Sequence, residues 1–103
     1  MDRVIYFIDI DGTICTDTKG QYNKAEPYKD KIEKINNLYD AGHKVIYWTA
    51  RGMTRGKGNI HKAYEYCYEI TRNQLDEWGV KYHELRLGKP YYDILMDDKA
   101  IGI

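Results

Sequence analysis

The chain has only two cysteines, no excess of either charge and no long apolar run, and each shortage removes a class of protein. Cys15 and Cys67 stand far apart with no companion at C-x-x-C spacing, which argues against a disulfide framework or a zinc site and for a reducing cytoplasm. Sixteen Lys and Arg offset sixteen Asp and Glu, so no global field draws the chain to nucleic acid or to a membrane surface. The apolar run at the N-terminus is broken by Asp9, too early for a signal peptide or a membrane span. Repeats, linkers and low-complexity tracts are also missing, so residues 1–103 are read as one domain around one core. The eleven tyrosines suit a small domain that buries large rings while their hydroxyls reach water.

What is present is an alternation of strand and helix signals. Residues 3–8, RVIYFI, are apolar on both faces, as a strand inside a sheet is. Residues 16–26 carry turn formers and are expected to fold as a hairpin. Pro27 opens a helix with Ile32, Ile35 and Tyr39 on one face, and Gly42 closes it. KVIYW, 44–48, is a second buried strand. Asn59 caps a longer helix with Ile60, Ala63, Tyr64, Cys67, Ile70, Thr71, Leu75 and Trp78 on one stripe, ended by Gly79. VKYHEL and YDILM supply two more strands. This order predicts an α/β fold, a three-layer Rossmann-like parallel sheet with helices on both faces and no cap domain.

In such sheets ligands bind beyond the carboxyl ends of the strands, and the polar residues of this chain collect there. Asp9 and Asp11 follow the first strand, Thr49, Ala50 and Arg51 the second, Lys89 precedes the last, and Asp97 and Asp98 end it. Crowded carboxylates call for a divalent cation, and hard oxygen ligands favour Mg2+. A hydroxyl and a compact cation, Thr49 and Lys89, suit phosphate oxygens. Cation, phosphate pocket and carboxylate nucleophile together describe phosphoryl transfer through an aspartyl-phosphate.

These residues resemble the four motifs of the haloacid dehalogenase superfamily of phosphatases: DIDGT at 9–13, Thr49 in WTAR, Lys89 in GKP, and Asp97-Asp98 in MDDKA. The resemblance implies that Asp9 is the nucleophile and that Asp11 is the general acid and base. Thr49 and Lys89 would hold the phosphoryl group, and the metal ligands would be Asp9, Asp11 through its carbonyl, and Asp98 or Asp97; Ala50 and Arg51, at the same strand end, are read as further substrate contacts. It implies a capless member acting on a small phosphomonoester, a sugar phosphate favoured, with polysaccharide synthesis among the settings of such relatives. The loop 51–59, with Arg51, Arg55 and Lys57, is expected to face the leaving group, and a homo-oligomer is expected to cover an apolar sheet edge.

Rival readings are fewer. A calcium loop of the EF-hand kind needs a glutamate at its twelfth position, and none stands there. A phospho-accepting receiver domain without turnover is the alternative function. Receivers put an acid pair first and the acceptor on a middle strand, whereas here a single acceptor comes first and the pair last. His43, His61 and His83 are read as structural or surface groups, and Cys15 as an inert thiol.

Overall fold

Alternation along the apolar runs decides which side chains meet. In a computed structural model that describes residues 2–103, three strands pair in parallel in the order β1 (Ile5–Ile8), β2 (Lys44–Thr49) and β3 (Glu84–Leu87). Tyr6 lies beside Val45 and Ile8 beside Tyr47, while Tyr47 and Thr49 lie beside Leu85 and Leu87, so all these residues share one face. That face meets Ile32 and Ile35 of α1 (Lys29–Asp40) and Ala63, Cys67 and Leu75 of α2 (Ile60–Glu77) in one buried cluster. Both crossovers step the same way across the sheet, and right-handed connections that do so lay their helices on the same side.

The α/β class and the parallel sheet are therefore as expected, but helices cover one face only. On the other, Ile5 and Phe7 remain exposed, with Phe7 edge-on to Trp48 and the Arg86 guanidinium over its ring. YDILM does not form a strand: residues 91–103 run as an exposed tail, held at its end by a bond from Lys31 Nζ to the Ile103 carbonyl. β1 is thus an edge strand. Nor do residues 16–26 form a hairpin of strands. They close only at the base, where Thr16 N–H donates to the Glu26 carbonyl, and otherwise hold one 3-10 turn, Tyr22–Lys24.

The helix ends follow their residues. Asn59 Oδ1 accepts from Lys62 N–H, and Gly42 and Gly79 take the left-handed backbone that closes each helix. Leaving α2 uses Gly79 and Val80, whose N–H donates to the Leu75 carbonyl, so the third strand begins at Glu84 rather than at Val80. His43 and His83 are structural: each Nδ1 accepts a backbone N–H, from Val4 and Val45 respectively. Among the described residues no helix is long and apolar enough to cross a membrane.

Tyr47 is wholly buried in the central strand, and its hydroxyl has no hydrogen-bond partner. A lone buried hydroxyl costs more than it returns, so Tyr47→Phe is expected to raise unfolding stability by about 1 kcal/mol. The urea midpoint measures this, and a lower midpoint in the variant would show that the hydroxyl is satisfied.

Candidate active site

The loops that leave the three strands meet at one end of the sheet and line a cleft of about 1000 Å³. Asp9 stands directly after β1. Its Oδ1 accepts the Ile10 N–H at 2.9 Å, which orients the carboxylate, and Oδ2 lies 3.5 Å from Lys89 Nζ. Burial raises the Asp9 pKa above the ordinary carboxylate value, and the Lys89 charge opposes that rise. Lys89 is delivered by the ladder: its N–H donates to the Thr49 carbonyl at 3.2 Å, carrying the chain past β3 to the ends of the other two strands. Gly88, with φ +93, makes the turn between them. The ammonium sits 5.3 Å from the Tyr92 ring and 5.9 Å from that of Trp48. Thr49 is buried at the floor and its Oγ1 accepts the Arg51 N–H, leaving its own proton free to donate into the cleft. Asp9, Thr49 and Lys89 are therefore brought together as the motifs imply.

Arg51 does not present itself as the substrate contact expected of it. The residue is 1% exposed, and its guanidinium grips Asp11 with both arms, Nε to Oδ2 and Nη2 to Oδ1, each at 2.9 Å. Nη1 donates to Thr71 Oγ1 at 3.2 Å and to Gln74 Oε1 at 2.6 Å on α2, and the Tyr22 ring lies 4.7 Å from the guanidinium carbon. Tyr22, Thr71 and Gln74 are site-building residues that the motif pattern did not reveal. Thr71 was visible only as a member of the α2 stripe, where it resembled core. The turn after Arg51 is equally tight: Gly52 has φ +82, and a Cβ there would meet Ala63 Cα at 2.9 Å.

The remaining expectations divide. Ala50 and Arg55 border the cleft, Arg55 stacked 3.8 Å over Tyr66, whereas Lys57 is exposed in the turn and does not line it. Cys15 is buried beneath Asp11, and burial pushes its thiol up to about 12, so it is no nucleophile at neutral pH. Asp97 and Asp98 lie in the exposed tail and do not border the cleft, and Asp97 Oδ1 accepts Lys99 N–H instead. Among the described residues no three acidic, histidine or cysteine side chains gather to hold a metal. The residues of one copy therefore do not fit the Mg2+ site that the motifs imply.

No protein-family model and no curated protein matches the chain. Among solved structures, the crystal structure of a structural-genomics target from Vibrio cholerae is similar, with 28% identity and a TM-score of 0.89. The match covers 96% of this chain and 83% of that one, so it extends well into the tail after Pro90. The small parallel α/β fold is thereby shared with a structure solved by crystallography.

Two outcomes follow from these contacts. Lysine cannot hold both oxygens of Asp11 together with Thr71 and Gln74, so Arg51→Lys is expected to lower stability by roughly 1–3 kcal/mol in urea unfolding. Unchanged stability would mean that the fork is dispensable. For Asp9, a pKa raised in the folded state means that the folded chain keeps its proton to a higher pH than the unfolded one. Stability should then fall as pH rises from the ordinary carboxylate value through the raised one. Asp9→Asn should flatten that fall and leave the variant more stable than wild type at neutral pH, as read by urea unfolding across the series.

Proposed function

We propose that the chain is a small, capless phosphatase of the haloacid dehalogenase type, hydrolysing a phosphomonoester through an aspartyl-phosphate. The observation that carries this reading is the convergence of Asp9, Thr49 and Lys89 from three different strand ends, with Asp9 and Lys89 3.5 Å apart. A carboxylate whose one oxygen is fixed by a backbone N–H and whose other faces an ammonium is aimed for attack on an anionic ester. The parallel α/β sheet, on this reading, is the reduced form of the three-layer core that the family shares.

Each residue then has a task. Asp9 Oδ2 attacks phosphorus and forms an acyl-phosphate while the ester oxygen departs with the bonding pair. Lys89 and the Thr49 hydroxyl hold the equatorial oxygens, where charge accumulates. Asp11 gives the departing oxygen its proton and then takes one from the water that cleaves the acyl-phosphate. At rest both of its oxygens accept from Arg51, so this task requires the carboxylate to give up at least one of those bonds. Arg55 on Tyr66, together with Tyr91 and Tyr92, forms a rim of one cation and aromatic faces. That rim suits a polar leaving group such as a sugar, whose ring faces lie against aromatics.

A phosphate-release screen over phosphorylated sugars, nucleotides and peptides, supplemented with magnesium, tests the assignment. Turnover is expected on a small monoester, and Asp9→Asn is expected to retain less than about a tenth of it, a loss of more than roughly 1.4 kcal/mol in the barrier. A wild-type phosphoenzyme that persists for minutes after acetyl phosphate, with no turnover on any monoester, would overturn the phosphatase in favour of a receiver.

A further inference from the structure

The chain leaves two unsatisfied surfaces. One is the outer edge of β1, an unpaired ladder flanked by Ile5 at 60% and Phe7 at 51% exposure. The other is the tail, where Ile94 is 79% and Met96 92% exposed although the segment has the composition of a buried strand. Joining them would extend the sheet to four strands, and a parallel join would set Asp97 and Asp98 beside Asp9, at the strand ends where the described residues of one copy gather no group of three acids.

The tail cannot make that join within its own chain. Lys89 is anchored at the site end by its bond to the Thr49 carbonyl, in line with β3. With Asp97 level with Asp9 and the whole of β1 paired, residue 93 lies level with Ile5, at least about 13 Å down the strand from Lys89, and beyond β1, three strand spacings or about 14 Å sideways. The straight line is about 19 Å and cuts through the sheet. The four residues from Lys89 to Asp93 reach at most about 14 Å, and the five that a one-residue shift allows reach about 18 Å. An antiparallel course down β1 is within reach, but it carries Asp97 and Asp98 to the wrong end.

We infer that residues 92–96 of one copy pair in parallel with β1 of a second copy and carry Asp97 and Asp98 to that copy's Asp9, the exchange being reciprocal. A tail that leaves its own domain at the site end is free to enter the neighbour's sheet from the far end, and a two-fold arrangement satisfies both free edges at once. With Asp98 level with Asp9, exposed Ile94 and Met96 meet exposed Ile5 and Phe7, and with Asp97 there they join Tyr6 and Ile8 on the helix-covered face. The pairing stands on chain length and exposed surface alone. The role given to the two acids rests on the phosphatase reading, under which they complete a cation site of oxygen ligands.

Light scattering and disulfide trapping read the pairing without reference to activity. Wild type is expected as a dimer or larger assembly at tens of micromolar, about the concentration at which such assays are run. Differently tagged chains, one carrying Phe7→Cys and the other Leu95→Cys or Met96→Cys, are expected to join as a heterodimer under oxidation, since neighbouring strands bring Cα atoms within disulfide range. A monomeric wild type, or no heterodimer with either pair, overturns the exchange, and so does a disulfide that forms only within one chain of the doubly substituted protein. The acids are tested with Mn2+ as probe, followed by its magnetic-resonance signal. Asp9→Asn and Asp97→Asn/Asp98→Asn chains should each bind poorly, and their co-expressed mixture should recover about a quarter of the wild-type sites, the share left intact by random pairing. No recovery, or no binding by wild type, overturns completion of the site between copies. Recovered binding without phosphate release would sink the phosphatase alone and leave the exchange standing.

Discussion

A guanidinium buried to 1% exposure cannot be left without partners, and the need to satisfy Arg51 organises the whole end of the molecule that carries the site. Four of its donors are met by Asp11 from the loop after β1 and by Thr71 and Gln74 from α2, and a fifth reaches Cys15 Sγ at 3.9 Å. Tyr22, from the 3-10 turn, supplies a ring face, and its carbonyl in turn accepts from Gln74 Nε2. Four segments distant in sequence are thus tied to one planar cation, and the geometry of the fork leaves them little freedom. Hydrophobic contacts would hold α2 against the sheet at many neighbouring registers. A bidentate pair with two further acceptors selects one of them.

The same pair has a consequence for chemistry. Asp11 is the residue from which proton transfer is expected, yet at rest it is the most heavily engaged carboxylate of the cleft. Asp9 is held differently, by one backbone N–H and a single ammonium at a longer distance, and burial works against its charge. The two acids therefore lie in opposite environments although they are two residues apart. One is held by a bidentate ion pair, and the other by a single backbone N–H and an ammonium 3.5 Å away.

Much of this was legible in the residues because the signals were local. β-branched and aromatic runs marked β1 and β2, Asn59, Gly42 and Gly79 marked the helix ends, and the site residues Asp9, Thr49 and Lys89 could be placed once parallel strands were expected. What could not be read was set by contacts distant in sequence. Nothing in WTAR tells whether its arginine points out to a ligand or back to Asp11, because that depends on where α2 lies. YDILM has the composition of a strand, but composition reports only that a segment suits a sheet and is silent on whether a free edge lies within reach. Here the chain between Lys89 and the segment is too short, and propensity yields to connectivity.

Exchange of that segment would also make assembly and cation binding one equilibrium. Asp97 and Asp98 bring two more negative charges towards Asp9, whose carboxylate has Lys89 as its one ion-pair partner among the described residues, while the nearby Asp11 and Arg51 already offset each other. Without a cation the approach of those acids is opposed by repulsion in a partly dry site, and the β pairing of the tail must work against it. With a divalent ion present the same carboxylates become its ligands and the sign of the interaction reverses. Because linkage is reciprocal, whatever the ion adds to the pairing of two copies, pairing adds to the affinity for the ion. A single copy on its own would then be poor at both, and the site would form only where the sheet is completed.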